Sequence, residues 1–408
     1  MIFDFGYMGT KRELAVTVAE IVSEAKRGPI LDAFSGMCAV GQTLGTDRQI
    51  WNNDVQIFAA KVARALFVSP HLPPTMTQVA VDLFPAFSLN EEALSARFRK
   101  RLDEEQRSLS SNNVTTVDVY LRKYQAAHES PGTLSEVAAC AIKPAAFPLR
   151  LFSLLYADSY FGLRQCVEID SIVFAINQAR NQKSISAGQR DWLLLALGQA
   201  MLRCSSTTGH FAQYLTPKPD TLTRYFRQRS RKVWDAWLEI ICDLSPLGSR
   251  AWRQGNRAYN RETISLLRCL SKEDDRPAVI YADPPYTDDQ YSRYYHLLET
   301  LFLYDYPNVA SKGRYRGGRF QTPFSLKSKA VEAFTRLVSA SAAIGAELIV
   351  SYPRDGLLYT CDTTPLKILR KFFNQVTTAH TQKHLHSSFG ASKGEATKSV
   401  TEVIYLAR

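Results

Sequence analysis

Short apolar runs that stop abruptly at polar or turn-forming residues recur near both ends of the chain, and between them the apolar positions fall at helical spacing. Pro29-Ile30-Leu31-Asp32-Ala33-Phe34, Ile50-Trp51-Asn52-Asn53-Asp54, Ala278-Val279-Ile280-Tyr281-Ala282 and Leu348-Ile349-Val350-Ser351-Tyr352-Pro353 have the length of buried parallel strands. Ser399 to Ala407 alternates instead, which predicts a last, antiparallel strand. Leu14, Val18, Ile21 and Val22 mark an N-terminal helix, and a second runs from Gln56 to Phe67 until Pro70, Pro73 and Pro74 stop it. From there to about residue 254 helical patterns dominate: Glu91 to Leu109, Leu134 to Ala141, Tyr160 to Ala179, Asp191 to Leu202 and Thr221 to Cys242. The expected fold is α/β. A mostly parallel sheet with one antiparallel strand is formed by residues 1–70 and 255–408, and a mainly helical insertion occupies 71–254.

A length of 408 residues exceeds the usual single domain, which agrees with a catalytic domain carrying an insertion, and 45% apolar residues suffice for a substantial core. A net charge of +11 makes a polyanionic partner plausible. Its distribution narrows this further. Arg224, Arg227, Arg229, Arg231 and Lys232 crowd one stretch, and Lys312, Arg314, Arg316 and Arg319 stand among Gly313, Gly317 and Gly318 with Tyr315 and Phe320. Guanidinium groups on such flexible backbone can follow a phosphate track or enter a groove. Arg97 to Arg101, by contrast, is followed by Glu104 and Glu105 at helical spacing and reads as a solvated helix face. Seven cysteines without Cys-x-x-Cys spacing predict reduced, intracellular thiols and no zinc site. No apolar run approaches the ~18 residues that span a bilayer, so no membrane partner is expected.

The candidate chemistry centres on Asp283-Pro284-Pro285-Tyr286, directly after the third apolar run. Proline cannot continue a ladder, so the chain must leave the sheet at the carboxyl end of that strand, where open α/β sheets bind ligands. Two prolines in series stiffen the turn. The Asp283 carboxylate and the Pro284 carbonyl can then both be aimed at one NH2 group, with Tyr286 lying against a flat base. The first run enters Ser35-Gly36-Met37-Cys38-Ala39-Val40-Gly41, whose small residues let backbone N–H groups approach a cofactor closely. Asp54 follows about 20 positions on, the distance at which nucleoside-binding units place an acid for ribose hydroxyls.

Asp-Pro-Pro-Tyr resembles the catalytic motif of the S-adenosylmethionine-dependent DNA adenine-N6 methyltransferases of the bacterial restriction-modification or Dam-like class. Asp32 through Gly41 resembles their Phe-x-Gly-x-Gly loop, with Phe34 and Gly36 in place and Cys38 where a second glycine stands, so the backbone there is expected to avoid positive φ. Tyr7-Met8-Gly9-Thr10-Lys11 is similar to the Tyr-x-Gly-x-Lys element that opens these enzymes. The resemblance implies a Rossmann-like methyltransferase sheet. It further implies S-adenosylmethionine held by Tyr7, Lys11, Asp32, Phe34, Gly36, Asp54 and Glu262, and catalysis by Asp283, Pro284 and Tyr286 with no metal. The partner implied is duplex DNA in a bacterial cytoplasm, with Tyr291, Arg314, Arg316 and Arg319 as contacts, the insertion for target recognition and a cognate restriction endonuclease acting separately. Tyr160 to Gln165, Glu168 to Asp170 and Gly209 to Gln213 also resemble stretches of bacterial adenine methyltransferases, without a role that the residues themselves disclose; the lone His210 reads as structural. An RNA or cytosine-N4 amino methyltransferase, or a catalytically silent DNA-binding module, remains the alternative. Cytosine-N4 enzymes commonly begin the tetrapeptide with serine.

Overall fold

The computed structural model describes residues 12–387 and 397–408. Tyr7 and Lys11 lie outside these described residues. Among the described residues nine strands follow one another: β1 (Ile30–Asp32), β2 (Ile50–Asn53), β3 (Arg257–Tyr259), β4 (Val279–Ala282), β5 (Val309–Ala310), β6 (Tyr315–Arg316), β7 (Glu347–Pro353), β8 (Val376–Ser387) and β9 (Thr397–Ala407). Seven of them form one sheet in the order β3-β2-β1-β4-β7-β9-β8, while β5 and β6 make a small separate ribbon. From β3 to β7 all neighbours are parallel, and β9 runs antiparallel to both β7 and β8. The protein is therefore mixed α/β with a mostly parallel sheet, as the apolar runs predict.

Strand alternation divides the core in two. Ile30, Val279, Tyr281 and Ile349 face one side, where they meet the helices Arg12–Glu24 and Ile57–Phe67 and the helical insertion. Leu31, Ile280, Ala282, Leu348 and Val350 face the other, against Thr263–Leu270 and Lys327–Ile344. The insertion's longest helices, Leu163–Asn181 and Ala187–Cys204, share the first core with the sheet, and Trp192 through Leu197 is fully buried. Its two ends are stitched together. The Asn256 amide donates to the Phe67 carbonyl at 3.0 Å, and the Arg253 guanidinium to Ser69 O at 2.9 Å.

Three local expectations need correction. The predicted helix Glu91 to Leu109 is two helices, Phe84–Arg97 and Arg99–Ser110, which kink at Phe98 as Leu94 and Leu102 both turn inward. Thr221 to Cys242 likewise breaks between Leu222–Arg229 and Val233–Cys242, because the Gln165 amide donates to the carbonyls of Gln228 and Arg231 at 2.8 and 3.0 Å. Arg101 is no solvated side chain. Its guanidinium pairs with the buried carboxylate of Asp158 at 2.5 Å.

The stretches around Tyr160, Glu168 and Asp170 prove to be the polar skeleton of the insertion. Glu168 receives the Trp234 N–H at 3.0 Å, which satisfies a donor at the start of helix Val233–Cys242 where Lys232 offers no side-chain cap. The fully buried Asp170 accepts from Phe152 N, Ser153 N, Ser153 Oγ and Tyr304 Oη at 2.6–2.9 Å. Tyr160 Oη lies 2.7 Å from the carbonyls of both Phe211 and Gly313, joining the insertion to the loop beside β6. His210 is buried and takes the Ala212 N–H on Nδ1 at 3.2 Å, a structural bond.

Candidate active site

The strand order reverses between β1 and β4, and a cavity of about 1140 Å³, counting its open mouth, sits at their carboxyl ends. Asp32, Phe34, Gly36, Asp54, Glu262, Asp283, Pro284, Tyr286 and Tyr291 all line it. The structure thus brings together positions spread over 260 residues of sequence. Register explains part of this: Asp32 is paired with Asn52 of β2 on one side and with Tyr281 of β4 on the other.

Beyond Ala282 the prolines take the chain out of the sheet, and Tyr286 turns back to bury its ring edge-on against Tyr352, centroids 6.2 Å apart. The Tyr286 carbonyl accepts the Leu357 N–H at 2.9 Å, which fixes the turn. At the end of β1 the glycine loop folds back on β2. Gly36 N and Gln56 N donate to the two oxygens of Asp54 at 3.0 and 2.8 Å, so this carboxylate holds the loop in place. Gly36 takes a φ of 47° and, against expectation, Cys38 one of 58°. The left-handed conformation is imposed by a tight turn in which the Cys38 N–H reaches Ser35 O at 2.6 Å while its carbonyl accepts the Gln42 N–H at the start of the next helix. A non-glycine residue there costs about 1–2 kcal/mol. Cys38→Gly is therefore expected to change stability by no more than about 1 kcal/mol, while Cys38→Val, β-branched in a left-handed site, should lower it. Urea unfolding checks this.

Electrostatics give the cavity its character. Among the described residues that line it are four acids, Asp32, Asp54, Glu262 and Asp283, and no lysine or arginine. Burial pushes the Asp32 carboxyl up to about 8, against a backbone hydrogen bond from Phe34 and with further help from the charges of Asp283 and Asp54. Burial likewise raises Asp54 to about 6, opposed by the N–H groups of Gln56, Gly36 and Val55. Asp32 Oδ1 and Gln56 Oε1 are buried acceptors without a hydrogen-bond partner among the described residues. A site built this way suits a cationic ligand that brings its own donors, and it disfavours a phosphate. Glu262 spends its oxygens on the N–H groups of Ile264 and Ser265 at 3.0 and 2.8 Å, capping a helix at the cavity wall.

The basic residues near β6 divide. Arg314 donates to the Leu155 carbonyl and Arg316 pairs with Asp305 at 2.7 Å, so both guanidinium groups are engaged by the protein itself. Arg319 lies over the Tyr315 ring, 5.0 Å from its centroid, beside the cavity residue Phe320. In the first basic cluster Arg229 is buried on Ser206 Oγ and Ser159 O. Sequence reasoning missed Gln56, Gln290, Thr322 and Phe324 as lining residues. Gln290 and Thr322 clasp reciprocally, side-chain amide to backbone, across 32 positions, and Phe324 meets Phe34 edge-on at 5.5 Å. Gln56, next to Asp54 at a helix start, was the one with a local signal.

Residues 240–349 match the D12 class N6 adenine-specific DNA methyltransferase family. The matched segment holds β3, β4, Asp283 to Tyr286 and the β5–β6 ribbon, and it leaves out β1 with its glycine loop. The chain is 23% identical over 356 residues to the type II methyltransferase M.FokI of Planomicrobium okeanokoites, covering 86% of this chain and 45% of that protein. It is 26% identical over 250 residues to the modification methylase LlaI of Lactococcus lactis subsp. lactis (60% and 37% covered), and 21% identical over 370 residues to the modification methylase StsI of Streptococcus sanguinis (90% and 46% covered). The chain spans less than half the length of these three relatives. Among the described residues no helix is long and apolar enough to cross a membrane.

Proposed function

We propose that the chain transfers a methyl group from S-adenosylmethionine to the N6 amino group of an adenine turned out of duplex DNA, as the modification activity of a restriction-modification system. The observation that carries this reading is the position of Asp283-Pro284-Pro285-Tyr286 at the switch point of the sheet, in one cavity with three further carboxylates and no cationic side chain among its described lining residues. S-adenosylmethionine supplies, when bound, a methyl group activated by a sulfonium charge. Asp32, Gly36, Asp54 and Gln56 would hold it, with Phe34 and Phe324 as the apolar wall; Tyr7 and Lys11 are assigned to its methionine end by resemblance alone.

The amino nitrogen of adenine is a poor nucleophile because its lone pair is conjugated into the ring. Asp283 and the Pro284 carbonyl accept its two hydrogens and favour the rehybridised nitrogen, while Tyr286 stacks on the base. Asp283 need not be a strong base, since the proton becomes acidic only as the new bond forms. Extruding the adenine costs a few kcal/mol, which stacking and hydrogen bonds in the pocket offset. In this reading the enzyme works in a bacterial cytoplasm beside the nucleoid, and a cognate endonuclease acts separately. Transfer of labelled methyl groups to DNA, but not to RNA or protein, is the expected result; preferential labelling of RNA or protein contradicts it.

The raised carboxyls add a pH dependence. A bound cation favours ionised Asp32 and Asp54, so cofactor affinity should rise as pH increases from about 6 to about 8, with proton release at neutral pH. Without a cation the sign reverses for stability. The folded state retains these protons above the ordinary value of 3.8, so their contribution to stability is lost as pH rises through about 6 and about 8. Calorimetry in buffers of different ionisation enthalpy reads the released protons, and an affinity flat over this range refutes the assignment.

A further inference from the structure

Of the large apolar side chains exposed among the described residues, Phe320, at 37%, is the one that lines the same cavity as Asp283 and Tyr286. Its position is built from both sides. On the N-terminal side the chain is pinned by Tyr315 Oη on the Ala212 carbonyl at 2.6 Å, by the Arg316–Asp305 pair and by Gly317 N on Asn308 O at 2.7 Å. On the C-terminal side Thr322 is held by Gln290, whose own position follows the catalytic turn. Between these feet runs a short arch, Gly318 to Gln321, entered through Gly318 at a φ of 68° that favours glycine. Phe320 on this arch shares the lining of the cavity with Tyr286. Arg319 beside it lies over the Tyr315 ring, so a positive charge adjoins a cavity-lining residue and could meet a phosphate.

A partly exposed hydrophobic ring in the lining of a cavity gains by being covered. We infer that Phe320 is the second aromatic wall of the target-base pocket and closes over the outer face of the extruded adenine. The inference rests on the DNA-methyltransferase reading. It gives Phe320 a role after the base has left the duplex, distinct from that of a wedge that fills the vacated position.

The test uses the full chain and an oligonucleotide duplex containing an adenine that the wild-type protein is first shown by sequencing to methylate. Phe320→Ala is expected to lower kcat/KM for this duplex roughly 5- to 150-fold, the span of losing one base–aromatic stack. Cofactor Kd should be unchanged, and Phe320→Trp should restore most of the rate. The same defect should persist when the target adenine is mispaired, because the ring acts on the base after extrusion. An unchanged rate in Phe320→Ala overturns the assignment. So does a defect that vanishes on the mispaired duplex, which is the signature of a wedge, or a parallel loss of cofactor affinity, which marks a structural role. Absence of DNA methylation by the wild type itself sinks the underlying function, and is told apart by that control.

Discussion

Replacing Asp283 by alanine is expected to lower methyl transfer by at least roughly 10²–10³-fold, the cost of removing one preorganised polar group from a reacting centre. Cofactor affinity should stay within a few-fold of wild type. The separation follows from the geometry. Asp283 stands at the head of the turn beyond β4, whereas the groups proposed to hold the cofactor come from β1, β2 and the turn between β1 and the next helix. One indirect effect is expected as well. The Asp283 charge is among the causes that raise Asp32, so its removal should move the pH dependence of cofactor binding downward. Asp283→Asn keeps the shape and one acceptor but presents an NH2 to an NH2, and should be nearly as inactive. Parallel measurement of methylation rate and cofactor Kd decides the matter. Wild-type turnover in either variant would remove the catalytic assignment, and a large loss of cofactor affinity would move Asp283 into the binding machinery.

The second large effect concerns a residue outside the cavity lining. Asp170→Ala removes the acceptor of four hydrogen bonds in a site with no access to water, from Phe152 N, Ser153 N, Ser153 Oγ and Tyr304 Oη. Each buried donor left unpaired costs about 1–3 kcal/mol, so a loss of at least about 3 kcal/mol is expected. Burial raises this carboxyl to about 6, while the hydrogen bonds from Tyr304 and from Ser153 and Phe152 hold it down; four donors converging on it favour the ionised form, whose bonds are the stronger kind. Asp170→Asn should fall between the two, because it keeps one acceptor. The urea midpoint reports the effect, and a change below about 0.5 kcal/mol would show that the network is dispensable. Tyr304 follows the helix that starts at His296, and Ser153 belongs to the insertion. Loosening this bond should therefore disturb how the insertion sits on the sheet.

How much of this is legible in the sequence depends on how local the cause is. The five predicted strands stand where apolar runs or alternation place them, because a buried strand needs little more than its own residues. β8 escaped notice since Val376–Ser387 is polar, lies at the sheet edge and owes its existence to β9. The lining role of Asp32, Asp54 and Asp283 was visible because each ends a strand. What Gln165, Glu168 and Asp170 do was not, since each bonds to groups that are distant along the chain and only the fold makes neighbours. The same holds for Arg314 and Arg316, whose spacing among glycines suggested phosphate contacts, while the fold turns one to a carbonyl of the insertion and the other to Asp305. Cys38 failed for the opposite reason. Residue type forecast its backbone, and a tight turn overruled the preference.

In the proposed reaction a rigid acceptor pair in an acid-lined cleft prepares an adenine amino group for methylation. Expressing the protein in a methylation-free host and sequencing the host DNA molecule by molecule puts this to the test. N6-methyladenine is expected at one recurring sequence context with the wild type and none with Asp283→Ala. Unmodified adenine in DNA from cells whose wild-type protein binds the cofactor would contradict it.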